Sequence, residues 1–249
     1  MQIDCYGSSR IGQRSSNQDS IAWHRRDDGQ SALVVVADGM GGYKGGDIAS
    51  RLTIETLEQA LLEPMCKQPP AGLVELEELL LQSAQAANGA IVERREREPQ
   101  HAKMGTTLTA GLLQGGRLAL VHIGDSRCYR FRGGALEQLT EDHNLAQEMV
   151  RKKALAANQL ESHPYSNVLT RALGVEGVAE FSRDNLEVEA GDTYLLCSDG
   201  LYQVLEDKDV TAVLKKNLGL EEAVNRLLDL CEARETSDNA SLVMARLTD

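Results

Sequence analysis

Residues 33–42 decide the fold, because the stretch Leu33-Val-Val-Val-Ala37-Asp38-Gly39-Met40-Gly41-Gly42 carries an apolar run directly into an acidic residue and a glycine-rich loop. A short apolar run bounded by turn residues is typical of a buried β-strand. Residues 21–24 predict another strand just before it, and Asp28-Gly29 between the two is a preferred hairpin turn. The sequence therefore predicts an antiparallel hairpin whose second strand ends at Asp38.

Outward from this hairpin, groups of predicted strands alternate with pairs of predicted helices. In chain order these are a helix that follows Asp47 and ends before Pro64, a helix at about 71–97, strands at 106–113, 118–123, 128–131 and 135–139, strands at 179–188 and 193–197, helices at 207–216 and 220–232, and a strand at 240–246. Single crossover helices between single strands are missing from this pattern, which disfavours a doubly wound parallel sheet. Antiparallel sheets with helices packed on them are expected.

Composition narrows the class of protein. The chain has 249 residues, 42% of them hydrophobic, so it is long enough to bury a core without disulfide or metal staples. Its net charge of −12 repels phosphate backbones and anionic lipid headgroups, which argues against nucleic acid or a membrane surface as the partner. No secretory signal or membrane span is visible, and the five cysteines are widely spaced without a C-x-x-C pair. A cytoplasmic protein with reduced thiols is expected.

Acidic residues recur at the ends of the predicted strands. Two further strands run into an aspartate as the first does, at Asp125 and at Asp199, while Asp19 and Asp238 stand just before two others. An isolated Asp-Gly pair usually marks a plain turn. After Asp38 and Asp199, however, the chain continues into a loop or a helix rather than into a returning strand. Because side chains at the ends of adjacent strands project to one rim of a sheet, we expect these five carboxylates to converge.

Converging carboxylates cannot all stay charged without a counterion, since like charges at contact distance raise each other's pKa or recruit a cation. Oxygen ligands suit Mg²⁺ or Mn²⁺ rather than Zn²⁺, and a glycine after the first aspartate lets the backbone approach a metal closely. Two such ions can bridge a water, lower its pKa to provide hydroxide, and neutralise a phosphoryl group. Arg14, five residues before Asp19, is placed to hold a phosphate in a bidentate fork.

Six ordered motifs together resemble a known enzyme family. They are Arg14-x-x-Asn17-Gln18-Asp19, Val36-Ala37-Asp38-Gly39-Met40-Gly41-Gly42, Gly105-Thr106-Thr107, Gly124-Asp125-Ser126-Arg127, Ser198-Asp199-Gly200-Leu201 and Asp238-Asn239-Ala240-Ser241. In this order they are similar to the metal-dependent Ser/Thr protein phosphatases of the PP2C (PPM) family, in its compact bacterial form. The resemblance covers essentially the whole chain.

The resemblance implies an α+β fold, a four-layer αββα sandwich of two antiparallel sheets with a pair of helices on each outer face. It implies one phosphatase domain over residues 1–249, with a flap at about 141–172 that influences substrate access. The implied activity is hydrolysis of phosphoserine and phosphothreonine in proteins, reversing a Ser/Thr kinase in bacterial signalling. Phosphorylated proteins, a kinase and its substrates among them, are the expected partners, and a monomer is the expected state.

The resemblance also implies the ligands of two Mn²⁺ or Mg²⁺ ions at one end of the sandwich. Asp38 is expected to bridge the two ions. Asp199 and Asp238 are expected to complete the shell of the first ion, and the Gly39 carbonyl to bind the second.

Further site roles follow from the same similarity. Asp19 is expected to support the second ion through water, and Asp125 with Asp199 matches the place of a third, weaker ion in bacterial relatives. Arg14 is expected to bind the substrate phosphate. Thr106 and Thr107 are expected to shape the sheet beside the site rather than to touch substrate.

One departure from the family pattern concerns the general acid. Animal members carry a histidine just after the Asp-Gly pair, and this chain has Met40 there. His122, in an apolar strand, is expected to be a packed histidine. His143 and His163 lie in the predicted flap and are expected to be solvated. None of the three is assigned as the acid.

Two other functional classes are open to the sequence. The glycine-rich loop at 39–46 suggests a nucleotide cradle, but Lys44 stands where G-x-G-x-x-G needs glycine and no GK[ST] follows. A non-catalytic interaction module on the same fold is the second alternative. Such a module is expected to have lost Asp38, Asp199 or Asp238, and all three are present.

Overall fold

The computed structural model describes residues 1–41, 45–67, 73–160, 163–175 and 179–249. Its strands in these ranges are β1 (Gln2–Arg10), β2 (Asp19–Arg25), β3 (Ser31–Met40), β4 (Gly105–Thr106), β5 (Leu108–Gln114), β6 (Arg117–Ile123), β7 (Arg127–Arg132), β8 (Ala135–Gln138), β9 (Ser182–Glu187), β10 (Thr193–Cys197) and β11 (Ala240–Thr248). Its α-helices are α1 (Gly46–Lys67), α2 (Leu73–Arg97), α3 (Leu145–Arg151), α4 (Asp199–Tyr202), α5 (Asp207–Leu214) and α6 (Leu220–Ala233).

The strands form two antiparallel sheets. One has the order β1-β11-β10-β7-β8, and the other has the order β2-β3-β5-β6-β9 with β4 paired to the end of β3. The predicted hairpin is β2 with β3, and its register places Asp19 opposite Asp38. The strand register alone therefore places two of the predicted site residues next to each other.

Three apolar clusters separate the four layers. Helices α1 and α2 pack on the β3 sheet over a cluster that includes Leu57 and Leu80, and α4 to α6 cover the other sheet over a cluster that includes Leu227. A third cluster between the two sheets includes Val34 and Tyr194, which are fully buried. Burial of apolar area on this scale is the main stabilising contribution, and it places the ends of both sheets side by side.

Strand β1 was not predicted, because its sequence is polar and its burial does not alternate regularly. All nine of its residues pair with β11, from Gln2 opposite Thr248 to Arg10 opposite Ala240. A Cβ on Gly7 would lie 2.8 Å from a ring carbon of Trp23 on β2, so glycine is needed where the two sheets approach each other. The strand depends on these long-range partners and leaves little local signal.

The predicted end of the first long helix was wrong. Helix α1 continues past position 64 and ends at Lys67. Proline inside a helix removes one backbone hydrogen bond, and the burial of Met65 in the cluster under α1 and α2 offsets that loss. The predicted second helix at 71–97 begins at Leu73 in the described part of the chain, and the predicted strand at 179–188 is confined to β9.

Among the described residues, no helix combines the length and the apolar character that are needed to cross a membrane.

A buried ion pair ties β7 to the segment that follows β8. Arg127 donates from Nε to Oδ1 of Asp142 at 3.0 Å and from Nη2 to Oδ2 at 2.9 Å, and the two residues are 7% and 4% exposed. Its Nη1 donates to the Tyr129 hydroxyl, and the guanidinium lies 3.7 Å from the ring centroid of Tyr202 on α4. One arginine thus connects three elements that border the end of the sandwich.

Removing one partner of this pair should be costly, because it leaves the other charge buried without compensation. We expect Arg127→Met to lower the free energy of unfolding by about 3–5 kcal/mol, and the double variant Arg127→Met/Asp142→Leu to recover most of that loss. Urea denaturation of both variants measures the effect. A loss below about 1 kcal/mol in the single variant would mean that solvent screens the pair as it screens surface pairs.

Candidate active site

A cleft of about 960 Å³ opens at the end of the sandwich where the predicted site residues lie. The predicted residues that line it are Arg14, Asp38, Gly39, Asp125, Asp199 and Asp238. Asp19 lies behind this wall and is buried, and its Oδ2 accepts a hydrogen bond of 2.7 Å from the Ser198 hydroxyl. The structure therefore brings together all seven positions that the sequence selected, six on the surface of the cleft and one beneath it.

The backbone of Asp38 is held by two threonines. Its N–H donates to Oγ1 of Thr107 at 2.9 Å, and its carbonyl accepts from the Thr107 N–H at 2.9 Å and from Oγ1 of Thr106 at 2.8 Å. Both threonines are buried. These contacts fix the end of β3 and leave the Asp38 side chain free to point into the cleft, which fits the shaping role expected for the pair.

Position 39 admits only glycine. A Cβ there would lie 2.2 Å from the carbonyl oxygen of Gly46 and 2.6 Å from that of Gln18. Real Cβ atoms do not approach backbone oxygens so closely, so a side chain would force the backbone apart. The backbone at Gly39 is thereby held close to the start of α1 and to the residue before Asp19.

The carboxylate of Asp199 has one satisfied and one unsatisfied oxygen. Oδ2 accepts a hydrogen bond of 2.6 Å from Nε2 of Gln203. Oδ1 is buried and meets no donor among the described residues, and the neighbouring Asp199 carboxylate is one of the charges that raise the pKa of Asp38. Two neighbouring buried carboxylates need a proton or a cation to relieve their repulsion.

Arg14 is the arginine that the sequence placed near this cluster. Its Nη2 forms an ion pair with Oδ2 of Asp238, and its Nε donates to the Ser237 carbonyl at 3.2 Å. The Arg14 side chain is 54% exposed. It therefore stands at the solvent side of the acidic cluster, bound to one member of it.

A family model described as Protein phosphatase 2C matches residues 6–245. The chain belongs to the protein phosphatase 2C family. The family expected from the six motifs is confirmed.

Relatives and solved structures agree with this assignment. Serine/threonine phosphatase stp of Listeria monocytogenes is 34% identical over 233 residues, which span 93% of this chain and 90% of the relative. The crystal structure of the Mycobacterium tuberculosis serine/threonine phosphatase PstP/Ppp has a TM-score of 0.89 and 36% identity, with 100% of both chains covered. The catalytic domain of PstP in complex with two manganese ions has a TM-score of 0.86 and 34% identity, covering 100% of this chain and 99% of that one. The predicted αββα sandwich is confirmed.

In this member of the phosphatase 2C family, burial and mutual repulsion raise the pKa values of the site carboxyl groups. Burial is the largest cause in each case. It raises the pKa of Asp19 to about 7, that of Asp199 to about 6 and that of Asp125 to about 8, with neighbouring carboxylates adding to the rise. The pKa of Asp38 is raised well above its ordinary range by burial and then by Asp19, Asp199 and Asp125. The cluster carries more negative charge than the folded chain alone can accommodate.

The donor set of the cluster fits hard divalent cations. Across the described residues, no group of three or more His, Cys, Asp or Glu side chains is already arranged to hold a metal ion. Mg²⁺ and related ions keep several waters and use one or two carboxylates, so an open, water-filled arrangement is what they require. The unsatisfied Asp199 oxygen and the raised carboxyl pKa values fit such ions and do not fit a closed zinc cage.

The histidines do not reach the cleft. His122 is buried against Thr109, and its burial lowers its pKa to about 4, as expected for a packed histidine. The expectation that His143 is solvated was wrong. Its Nδ1 accepts from the Gly124 N–H, its Nε2 lies 2.9 Å from the Ser182 hydroxyl, and burial lowers its pKa to about 3. His163 is half-buried, and Met40 lines the cleft in their place.

Three polar residues of the site were missed in the assignment of roles. Ser198 donates to Asp19, and Asn239 accepts from the Gln18 N–H at 2.9 Å while donating to the carbonyls of Ile11 and Ser16. Gln203 donates to Asp199. The first two lie inside recognised motifs, each next to a predicted ligand, and that adjacency could have identified them. Nothing in the sequence distinguishes Gln203.

The raised carboxyl pKa values make the stability of the metal-free protein depend on pH. Between the unfolded value of 3.8 and the folded values of about 6 to 8, the folded chain holds protons that the unfolded chain has lost. Stability contributed by these groups is therefore present below about pH 4 and is lost as the pH rises through the folded pKa values.

Calorimetry of the chelator-treated chain should show that the contribution of this cluster to the free energy of unfolding falls between about pH 5 and pH 8. Manganese should raise the Tm more at the higher pH, because the ion replaces the bound protons. The double variant Asp125→Asn/Asp199→Asn should flatten both trends. Equal manganese shifts at the two pH values would contradict the assignment.

Proposed function

We propose that this chain hydrolyses phosphoserine and phosphothreonine in proteins with the help of two Mn²⁺ or Mg²⁺ ions. One observation carries the proposal: four carboxyl groups that cannot all ionise together meet at a cleft, and a buried oxygen of Asp199 meets no hydrogen-bond donor among the residues that the structure describes. When bound, such ions lower the pKa of coordinated water and neutralise charge on a phosphoryl group. The relatives named above are Ser/Thr phosphatases, which supports the same activity here.

The proposed ligand roles follow the positions of the carboxylates. Asp38 lies opposite Asp19 and within reach of Asp199, which supports its role as the bridge between two ions. Asp199 and Asp238 complete the shell of the first ion, and the Gly39 carbonyl binds the second.

Two buried aspartates have weaker proposed roles. Asp19, fixed by Ser198 behind the wall of the cleft, supports the second ion through water. The negative charge of Asp199 contributes to the raised pKa of Asp125, which supports a third, weaker ion shared by these two residues.

Arg14 is proposed to bind the substrate phosphate. Its guanidinium forms an ion pair with Asp238. If Asp238 held a cation, its pair with Arg14 would weaken, and the exposed guanidinium would be able to turn its fork toward a phosphate at the cleft mouth. The same arginine thus compensates the acidic cluster before the cation binds and holds the anionic substrate afterwards.

Segment 141–172 is proposed as a flap within a single phosphatase domain. Residues 167–172 line the cleft, and the segment is anchored near its start by His143, whose N–H donates to the Gly124 carbonyl at 2.7 Å. Phosphoproteins are the substrates, and a bacterial Ser/Thr kinase with its targets is the proposed signalling partner. We propose a cytoplasmic monomer, for which the acidic surface supplies solubility.

The variant Asp38→Asn tests the bridging role. Losing this carboxylate should lower kcat on a phosphoserine peptide by at least about 100-fold, the scale seen when one electrostatic stabiliser of a transition state is lost. The Tm in chelator should not fall below that of the parent, because asparagine keeps the backbone contacts to Thr106 and Thr107 and removes one repelling carboxylate. Asp28→Asn, in the β2–β3 turn, is the matched control. Parent-like turnover in Asp38→Asn would refute the assignment.

Arg14→Ala tests phosphate binding. The KM for a phosphopeptide should rise about tenfold, equivalent to about 1.4 kcal/mol of lost binding, with a smaller change in kcat. Arg97→Ala is the control, because that arginine is also exposed and also pairs with a carboxylate, Glu93. An unchanged KM would leave Arg14 as a surface residue that only balances Asp238.

A further inference from the structure

Gln203 contacts Asp199 with both its backbone and its side chain. Its N–H donates to the Asp199 carbonyl at 3.0 Å, and its Nε2 donates to Oδ2 at 2.6 Å. Asp199 is the first residue of the short helix α4, and Gln203 is the C-cap residue directly after it. The two are four positions apart, so one helical turn places them on the same face. The contact is local and needs no partner from elsewhere in the chain.

The two carboxylate oxygens of Asp199 therefore differ in their hydrogen bonding. Oδ2 is occupied by the amide, and Oδ1 is the buried oxygen that no donor in the described part of the chain satisfies. A carboxylate with one oxygen held by a hydrogen bond loses rotational freedom, so the direction of the other oxygen is fixed as well. The open oxygen then belongs to the acidic cluster that includes Asp38.

The chemistry of the donor is also important. The amide nitrogen of glutamine only donates and carries no charge. It orients a carboxylate without competing electrostatically for the position of a cation. Arginine or lysine at this position would neutralise Asp199, as Arg14 neutralises Asp238 through its ion pair. A neutral donor leaves the full negative charge available for metal binding.

We propose that Gln203 is a positioning residue that fixes the Asp199 carboxylate with Oδ1 presented to the cation of the active site. The inference rests on the proposed function, since it assumes that Asp199 binds an ion. Groups that hydrogen-bond to metal ligands tune affinity by holding the ligand in its binding geometry. Gln203 accordingly sets the affinity for the ion and has no part in the chemical step once the ion is bound.

The test uses Gln203→Met, which keeps length and helix propensity but has no donor. Gln82→Met is the matched control, because Gln82 donates to Glu78 at 3.0 Å across the same four-residue spacing on α2 and does not line the cleft. Gln203→Ala is a second variant, so that the result does not depend on one substitution. Circular dichroism and the Tm in chelator establish that each variant is folded.

Calorimetric titration of the chelator-stripped full chain with MnCl₂ gives the decisive readout, and phosphopeptide kinetics at saturating manganese gives the second. We expect the manganese Kd of both Gln203 variants to rise about tenfold, the lower end of the range for such groups because the side chain is exposed. The kcat at saturating manganese should be unchanged, and Gln82→Met should match the parent in both measurements.

The possible failures are distinct. If the parent chain binds no manganese, the proposed function fails. If the parent binds manganese and the Gln203 variants bind it equally well, only the positioning role is overturned. A fall in kcat at saturating manganese with an unchanged Kd would also overturn it, because a residue that only orients a ligand cannot act in that way.

Discussion

Repulsion among carboxyl groups at one end of the sandwich is the constraint on which the site depends. Asp19 and Asp38 are brought together by strand register, and Asp199 and Asp238 by the end of β10 and the approach to β11. Burial removes the water that would screen them, so their pKa values rise. Such an arrangement opposes folding locally, and the three apolar clusters of the sandwich supply the stability that keeps it assembled.

Neutral hydrogen-bond donors hold this cluster in place. Ser198 donates to Asp19, Gln203 donates to Asp199, and the buried threonines hold the backbone of Asp38. Apart from Arg14 at the solvent side, none of these contacts brings a positive charge to the carboxylates. The site is thus oriented by groups that leave its charge intact, and bound protons or a cation remain to neutralise it.

The sequence predicts the acidic cluster better than it predicts the elements around it. Strand-to-aspartate junctions are local signals, since apolar runs and the residues that end them can be read directly from the chain. Strand β1 is held by β11 more than two hundred residues away in sequence, and helix α1 continues past position 64 where Met65 is buried in the core. Both outcomes depend on tertiary contacts. The role of Gln203 depends on the rotamer of one exposed side chain, for which the sequence contains no signal.

The two packed histidines show that burial can give a residue a structural role in place of an acid–base role. His122 and His143 have ring centroids 4.7 Å apart, and burial keeps both neutral at physiological pH. Through Gly124 and Ser182, His143 joins the loop of Asp125 to the strand that follows the proposed flap. A residue type usually associated with proton transfer here braces the wall of the cleft. Among the described residues that line the cleft, the titratable groups are carboxylates and arginines, and the packed histidines lie outside that lining.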